Sequence, residues 1–201
     1  MDFKIFLQDK ADDLINKATI LPTIPIIWEE CIQIKCGNLD KIIKTSGIKD
    51  FLERNKKRPA IYYFEIKSNE TGEDIVERLQ EYKSKNDRAC PKIDKTRQKN
   101  SRILYCGSRK ERLHERFIQH LGYGSSGTYA LQLEHWAKDL NLELEFHFAW
   151  LDIEYKQFTE LVESALADKL KPLVGKMHST KSPSMTEFEI LRFAIEKIID
   201  K

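Results

Sequence analysis

The hydrophobic period of this chain changes at one glycine, and that change constrains the fold more than any other feature. From Arg102 to Gly122 the sequence reads RILYCGSRKERLHERFIQHLG. Ile103 to Cys106 is short, apolar and aromatic and stops at Gly107, the pattern of a buried strand. Beyond it Leu113, Phe117 and Leu121 fall four apart, which makes one apolar stripe on a helix. Arg112, Arg116 and His120 keep the same spacing, one residue or roughly 100° of rotation from that stripe. The spacing predicts a helix that packs on one edge and holds out a column of two arginines and a histidine. A strand turning at glycine into a helix with cations at its start suits phosphate binding. An ordinary strand–helix unit with a solvated basic face has the same pattern.

At 201 residues the chain can bury a real core, as one domain with room for an added subdomain. The formal net charge of +2 does not by itself announce a nucleic-acid partner. The distribution is more informative: Arg54 to Arg58 and the run from Arg88 to Arg102 are basic, while acids collect on the later helices. The opening MDFKIFLQDK is too densely charged for a secretory signal, and no apolar run is long enough to span a bilayer. The four cysteines, Cys31, Cys36, Cys90 and Cys106, match no zinc signature in their spacing, so free thiols in a reducing cytoplasm are expected.

Residues 1 to about 21 read as a helix ended by Pro22 and Pro25, followed by an extended apolar connector to Trp28. Short helices are expected at Leu39 to Ile43 and Ile48 to Leu52, so that residues 1–57 read as an N-terminal helical subdomain. Ala60 to Lys67 alternates as a strand, with Ala60, Tyr62, Phe64 and Ile66 on one face. A helix from Glu73 to Lys85 leads into a polar, basic stretch broken by Pro91, read as a mobile surface loop to Asn100. Gly122 to Thr128 lacks the ending of a phosphate loop and reads as a connector, with Thr128 capping an amphipathic helix from Ala130 to Leu140. A strand from Leu142 to Trp150, a helix from about Glu154 to Leu170 and a last helix within 181–201 complete the chain. Three strands with helices around them give an α/β (α+β) fold built on a small mixed or antiparallel sheet.

Two of the strands carry a recognisable signature. Ala60-Ile61-Tyr62 followed by Tyr105-Cys106-Gly107 resembles the paired motif of the GIY-YIG nuclease family, over roughly residues 59 to 178. Arg116 with His120 four residues on matches the arginine and the following histidine or tyrosine of that family. Glu163, Leu166 and Pro172 match the segment around its metal-binding glutamate, with Gly175 where asparagine is usual. The resemblance implies a nuclease domain over 58–180, whose insert 67–101 is a candidate DNA-contacting arm, as in restriction enzymes similar to this family.

Cleaving a phosphodiester needs an activated water, stabilisation of phosphate charge and help for the leaving oxygen. By resemblance Tyr62 takes the proton from the water, Tyr105 positions water or phosphate, and Arg116 grips the phosphate with its planar fork. His120 orients Tyr62 or contacts phosphate, and Glu163 holds Mg²⁺ or Mn²⁺. Lys110, Arg112, Lys92, Lys95, Arg97 and Lys99 are the candidate DNA contacts. The expected activity is a metal-dependent, cytoplasmic endonuclease of the restriction or defence type acting on double-stranded DNA, with no membrane partner. A homodimer cutting a palindrome and a monomer nicking one strand are both compatible with it. Two other readings remain open: a DNA-binding module of the same fold without turnover, and a nuclease using Glu65 and Lys67 as an acid-x-lysine site.

Overall fold

The computed structural model describes residues 8, 12–13, 15–17, 19–29, 31–44, 46–85, 88–93 and 100–175. The expected C-terminal helix, three of the candidate DNA contacts (Lys95, Arg97, Lys99) and much of the first helix lie outside the described residues. The chain divides into two compact units, residues 1–25 with 177–201, and residues 26–176. In the first unit the described residues up to 20 are helical. A 3-10 turn at Leu21–Thr23 follows, with Pro22 near its start.

In the second unit the described residues form one antiparallel sheet of five strands: β1 (Ile27–Trp28), β2 (Ile32–Lys35), β3 (Ala60–Ile66), β4 (Ile103–Arg109) and β5 (Glu143–Trp150). β3 is central, paired with β4 on one side and β5 on the other. Both β1 and β2 pair with the far side of β5. The class is therefore α+β as expected, but the sheet is larger than the three strands read from the sequence. β1 has two residues and β2 only four, too few for alternation to register. They become strands because β5 offers them an unpaired edge. Residues 26–57 accordingly belong to the same compact unit as the sheet, which begins at Ile26 rather than near residue 58.

Six helices surround the sheet among the described residues: α1 (Leu39–Lys44), α2 (Ser46–Arg54), α3 (Gly72–Lys85), α4 (Leu113–Leu121), α5 (Leu133–Trp136) and α6 (Thr159–Leu170). α4 follows from its stripe, since Leu113, Phe117 and Leu121 are all buried. β4 runs through Gly107 to Arg109 instead of stopping at the glycine. The helix expected from Ala130 to Leu140 shrinks to one turn, because the preceding residues are held otherwise. Gln132 takes φ 59°, and the Leu131 N–H is bonded to the His120 ring. The segment Ile153–Phe158 is a 3-10 helix leading into α6.

The strand alternation sorts the side chains as expected. Tyr62, Phe64 and Ile66 of β3 and Leu144, Phe146, Phe148 and Trp150 of β5 are buried on one face. Phe146 is the centre of this layer, with ring centroids 4.8 Å from Phe64, 4.7 Å from Phe117 and 5.3 Å from Phe148. Beyond the other edge of the sheet the backbone of Leu173 and Val174 donates to Ile103 and Leu104 (2.8 and 3.1 Å), and Gly175 donates to the Lys92 carbonyl (2.9 Å). That seam brings residues far apart in sequence to one side of β4.

The stretch read as a mobile loop is partly built into the fold. Cys90 and Pro91 are buried, and Ile93 bridges to Val174. Two cations of the basic run serve as clamps: Arg88 donates to the Gly124 carbonyl and the Gln132 side chain (3.2 and 3.1 Å). Arg102 donates to the carbonyls of Ile66, Ser68 and Glu70. Phe146→Ala removes the side chain against which the rings of Tyr62, Phe64, Phe117 and Phe148 pack, and should lower the unfolding free energy by about 3–5 kcal/mol in urea denaturation.

Candidate active site

The site begins with a cross-strand pair. Tyr62 on β3 lies directly opposite Gly107 on β4. A Cβ at Gly107 would sit 2.7 Å from the Tyr62 hydroxyl and 2.8 Å from Tyr105 Cε1. The missing side chain is thus the space that the two tyrosines occupy, their rings stacked with centroids 6.2 Å apart.

Arg116, in the first turn of α4, points its guanidinium at both phenols. Nε donates to the Tyr62 hydroxyl (3.1 Å), and one terminal nitrogen donates to the Tyr105 hydroxyl (3.3 Å) and the Tyr129 carbonyl (2.7 Å). The other terminal nitrogen donates to Gln119 Oε1 (3.2 Å). All four acceptors are neutral, so the fork is fixed in place while its charge is left for an anion.

One turn further on, His120 is fully buried and does not face outward as the expected column required. The Leu131 N–H donates to its Nδ1 (3.1 Å). A backbone N–H can only donate, so the neutral ring carries its proton on Nε2, which lies 3.0 Å from the Tyr62 hydroxyl and donates to it. Burial holds the imidazole well below its ordinary pKa, and the charges of Arg116 and Arg109 push the same way. The Tyr62 oxygen therefore receives two donors. Burial pushes its own pKa well above the usual range and Tyr105 adds to that, while the Arg116 charge and hydrogen bond pull it down.

Glu163 enters from α6, which packs on β4, and its carboxylate accepts a 2.5 Å hydrogen bond from the Ser108 hydroxyl. Tyr62, Tyr105, Arg116 and Glu163 line one cleft of about 740 Å³. Lys83, Lys92 and Arg109 add cations to its wall, and Glu163 is the one carboxylate among the described lining residues. His120 stands behind Tyr62. A divalent cation fits this donor set: Mg²⁺ keeps much of its water shell and takes one or two carboxylates together with phosphate oxygens. Glu163 would hold it.

Not every expected contact gathers here. Lys92 lines the cleft, whereas Lys110 pairs with Glu160 (2.9 Å) and Arg112 with Glu115 (3.3 Å), and neither lines it. Glu65 and Lys67 bond each other (3.1 Å) and do not line the cleft. Gly175, where the resembling family has asparagine, takes φ +116°, and a Cβ there would lie 3.1 Å from the Tyr105 ring. A side chain at 175 would strain the backbone and press on Tyr105, so in this chain glycine is the residue that the site accommodates. Sequence reasoning missed Ser108, Lys83, Arg109 and the Tyr129 carbonyl. Ser108 adjoins Gly107 in the recognised strand, and its position next to the glycine was the available signal. The carbonyl has no side-chain signal at all.

No family model, curated protein or solved structure matches this chain. The site is accordingly defined by its own residues and their geometry.

Gly107→Ala forces a methyl into the space between the two tyrosines. It should abolish any activity of the cleft, whereas Ser108→Ala at the next position should leave part of it, measured as turnover at matched folded fractions. His120 gives a pH signature. Above its ordinary pKa of about 6.5 the ring is neutral both folded and unfolded. Below that value the unfolded chain binds a proton that the buried ring refuses, so stability is lost as pH falls. Urea midpoints between about pH 8 and pH 5 should drop more for wild type than for His120→Gln.

Proposed function

We propose that the protein is a divalent-metal-dependent endonuclease that hydrolyses phosphodiester bonds in double-stranded DNA, resembling the GIY-YIG family and of the restriction or defence type. The observation that carries this reading is the Arg116 fork: one cation fixed by two tyrosine hydroxyls, in a cleft whose only described carboxylate is Glu163. A polyanion suits a wall bearing Lys83, Lys92, Arg109 and Arg116. Tyr129, 71% exposed at the mouth of the cleft, offers a ring for contact with a base or sugar. Among the described residues no helix is long and apolar enough to cross a membrane. All four cysteines are free, in keeping with a reducing cytoplasm.

The chemistry follows from the site. A scissile phosphate beside Arg116 places its non-bridging oxygens against the guanidinium, whose charge no carboxylate bond has neutralised, and negative charge that develops during attack is stabilised there. Tyr62 is the group placed to take the proton from the attacking water, acting as the phenolate after its own proton has passed to solvent. Its oxygen accepts from Arg116 Nε and His120 Nε2, two donors that stabilise the phenolate, and together they oppose the cost of burial. Tyr105, bonded to the same fork, holds water or phosphate at the other side. Glu163 would hold the divalent cation, which would supply Lewis-acid stabilisation of the leaving oxygen. Ser108 orients the carboxylate for that role. Glu65 and Lys67 do not line the cleft and have no role in this reading.

Purified full-length protein incubated with plasmid and phage DNA in Mg²⁺ or Mn²⁺ is expected to give discrete fragments, and none in EDTA. Glu163→Ala should bind DNA without cutting it, and Arg116→Lys should lose about 10²–10³-fold in rate. Wild type that shifts DNA but cuts none in either metal would show a binding module instead. Undiminished cutting by Glu163→Ala would remove that residue from the mechanism.

A further inference from the structure

The sheet has a second face, and its alternation gathers a different set of side chains there. On β3 and β5 the register pairs Tyr63 with His147 and Glu65 with Glu145, residues that alternate with the buried ones. β2 places Gln33 opposite Glu145. Cys31, two residues earlier, falls on the same face beside His147.

The ligand atoms of Cys31, Glu145 and His147 all lie within 4.8 Å of one another. His147 Nε2 is 3.1 Å from a carboxylate oxygen of Glu145 and 3.1 Å from one of Glu65. A tetrahedral ion with bonds of about 2.0–2.3 Å sets its ligands roughly 3.3–3.8 Å apart, so the cluster is close to a bound spacing as it stands. The surroundings orient each ligand. The Tyr63 ring stacks on the imidazole with centroids 4.5 Å apart and planes 10° from parallel. Gln33 donates to the other Glu145 oxygen (2.6 Å) and to the Cys31 sulfur (3.7 Å). Lys67 bridges the two carboxylates, 3.1 Å from Glu65 and 3.0 Å from Glu145, and balances their charge. Such outer contacts fix the direction and basicity of metal ligands. The three ligands are only partly buried, so an ion has a path in.

We propose that Cys31, Glu145 and His147 form a Zn²⁺ site, with Glu65 the next donor within reach. Sulfur and imidazole select zinc over the hard Mg²⁺ of the cleft. On binding, the Cys31 thiol gives its proton to solvent as the sulfur–zinc bond forms, and no electrons change hands. The ion then ties the residue that leads into β2 to the strand β5, clipping a four-residue edge strand to the sheet. The cysteine spacing concealed this site because the sheet, and not the chain, brings its ligands together.

The test is a titration of the purified full chain with Co²⁺ and then Zn²⁺. One equivalent of Co²⁺ is expected to give a near-ultraviolet thiolate-to-cobalt charge-transfer band and the visible bands of a tetrahedral ion, both displaced by Zn²⁺. The band should vanish in Cys31→Ser, weaken with at least about tenfold lower affinity in His147→Gln, and persist in Glu163→Gln. Alkylation mapped by mass spectrometry gives a second readout on wild-type protein: Zn²⁺ should slow modification of Cys31 and Mg²⁺ should not. No band in wild type, a band of equal intensity in Cys31→Ser, or Cys31 alkylation at the same rate with and without Zn²⁺ would each overturn the proposal.

Discussion

The absence of one side chain, at Gly107, lets two tyrosines do incompatible things at once. Tyr62 belongs to the aromatic layer of the core, yet its hydroxyl has to reach the cleft where Tyr105 and Arg116 meet it. Any Cβ on the opposing strand would occupy the position of that hydroxyl. With it gone, the phenol lies across the β3–β4 pair, apolar ring in the core and oxygen toward the cleft. The fork of Arg116 and the ring of His120 are both placed by that oxygen. The site is in this sense an extension of strand pairing, and its rigidity comes from the sheet.

Fully burying His120 and partly burying Arg116 carries a desolvation cost that the surrounding acceptors and donors offset. The guanidinium is held by two phenols, an amide and a carbonyl. The imidazole is held between the Leu131 N–H and the Tyr62 oxygen. Neutral partners keep the arginine's charge available, which a carboxylate in the same place would cancel. The chain after Ala130 departs from the long helix its apolar spacing predicts at this same network: the Leu131 N–H is bonded to the histidine, and the next residue, Gln132, takes a left-handed φ of 59°. Glu163 is reached only through the packing of α6 on β4, and Ser108 joins the two.

Much of the core was legible because each element is long enough to show its period. Ala60 to Ile66, Glu143 to Trp150 and the stripe of α4 each repeat their pattern several times, and their buried faces are those the alternation names. The short edge strands β1 and β2 were not legible, since two and four residues carry no period and take their conformation from β5. The basic run misled in part: Arg88 and Arg102 are tied down as clamps within the fold, and Lys110 and Arg112 pair with neighbouring acids, which a count of cations does not register. Tyr62, Tyr105, Arg116 and Glu163 could be named from sequence only through a resemblance, since aromatics in strands and a glutamate on a helix are ordinary core and surface residues by pattern alone.

The sequence by itself determined the local alternation, the helix stripe and the glycine where they meet, because these depend on neighbours within a few residues. It therefore settled which face of β3 and β5 is apolar and which is polar. Only the tertiary structure decided what each face assembles. Residues 62, 105, 116 and 163 converge in one cleft, and Cys31, Glu145 and His147 meet in a separate cluster, through strand register and helix packing between distant segments. Those pairings depend on which edges and surfaces remain unsatisfied once the local elements have formed.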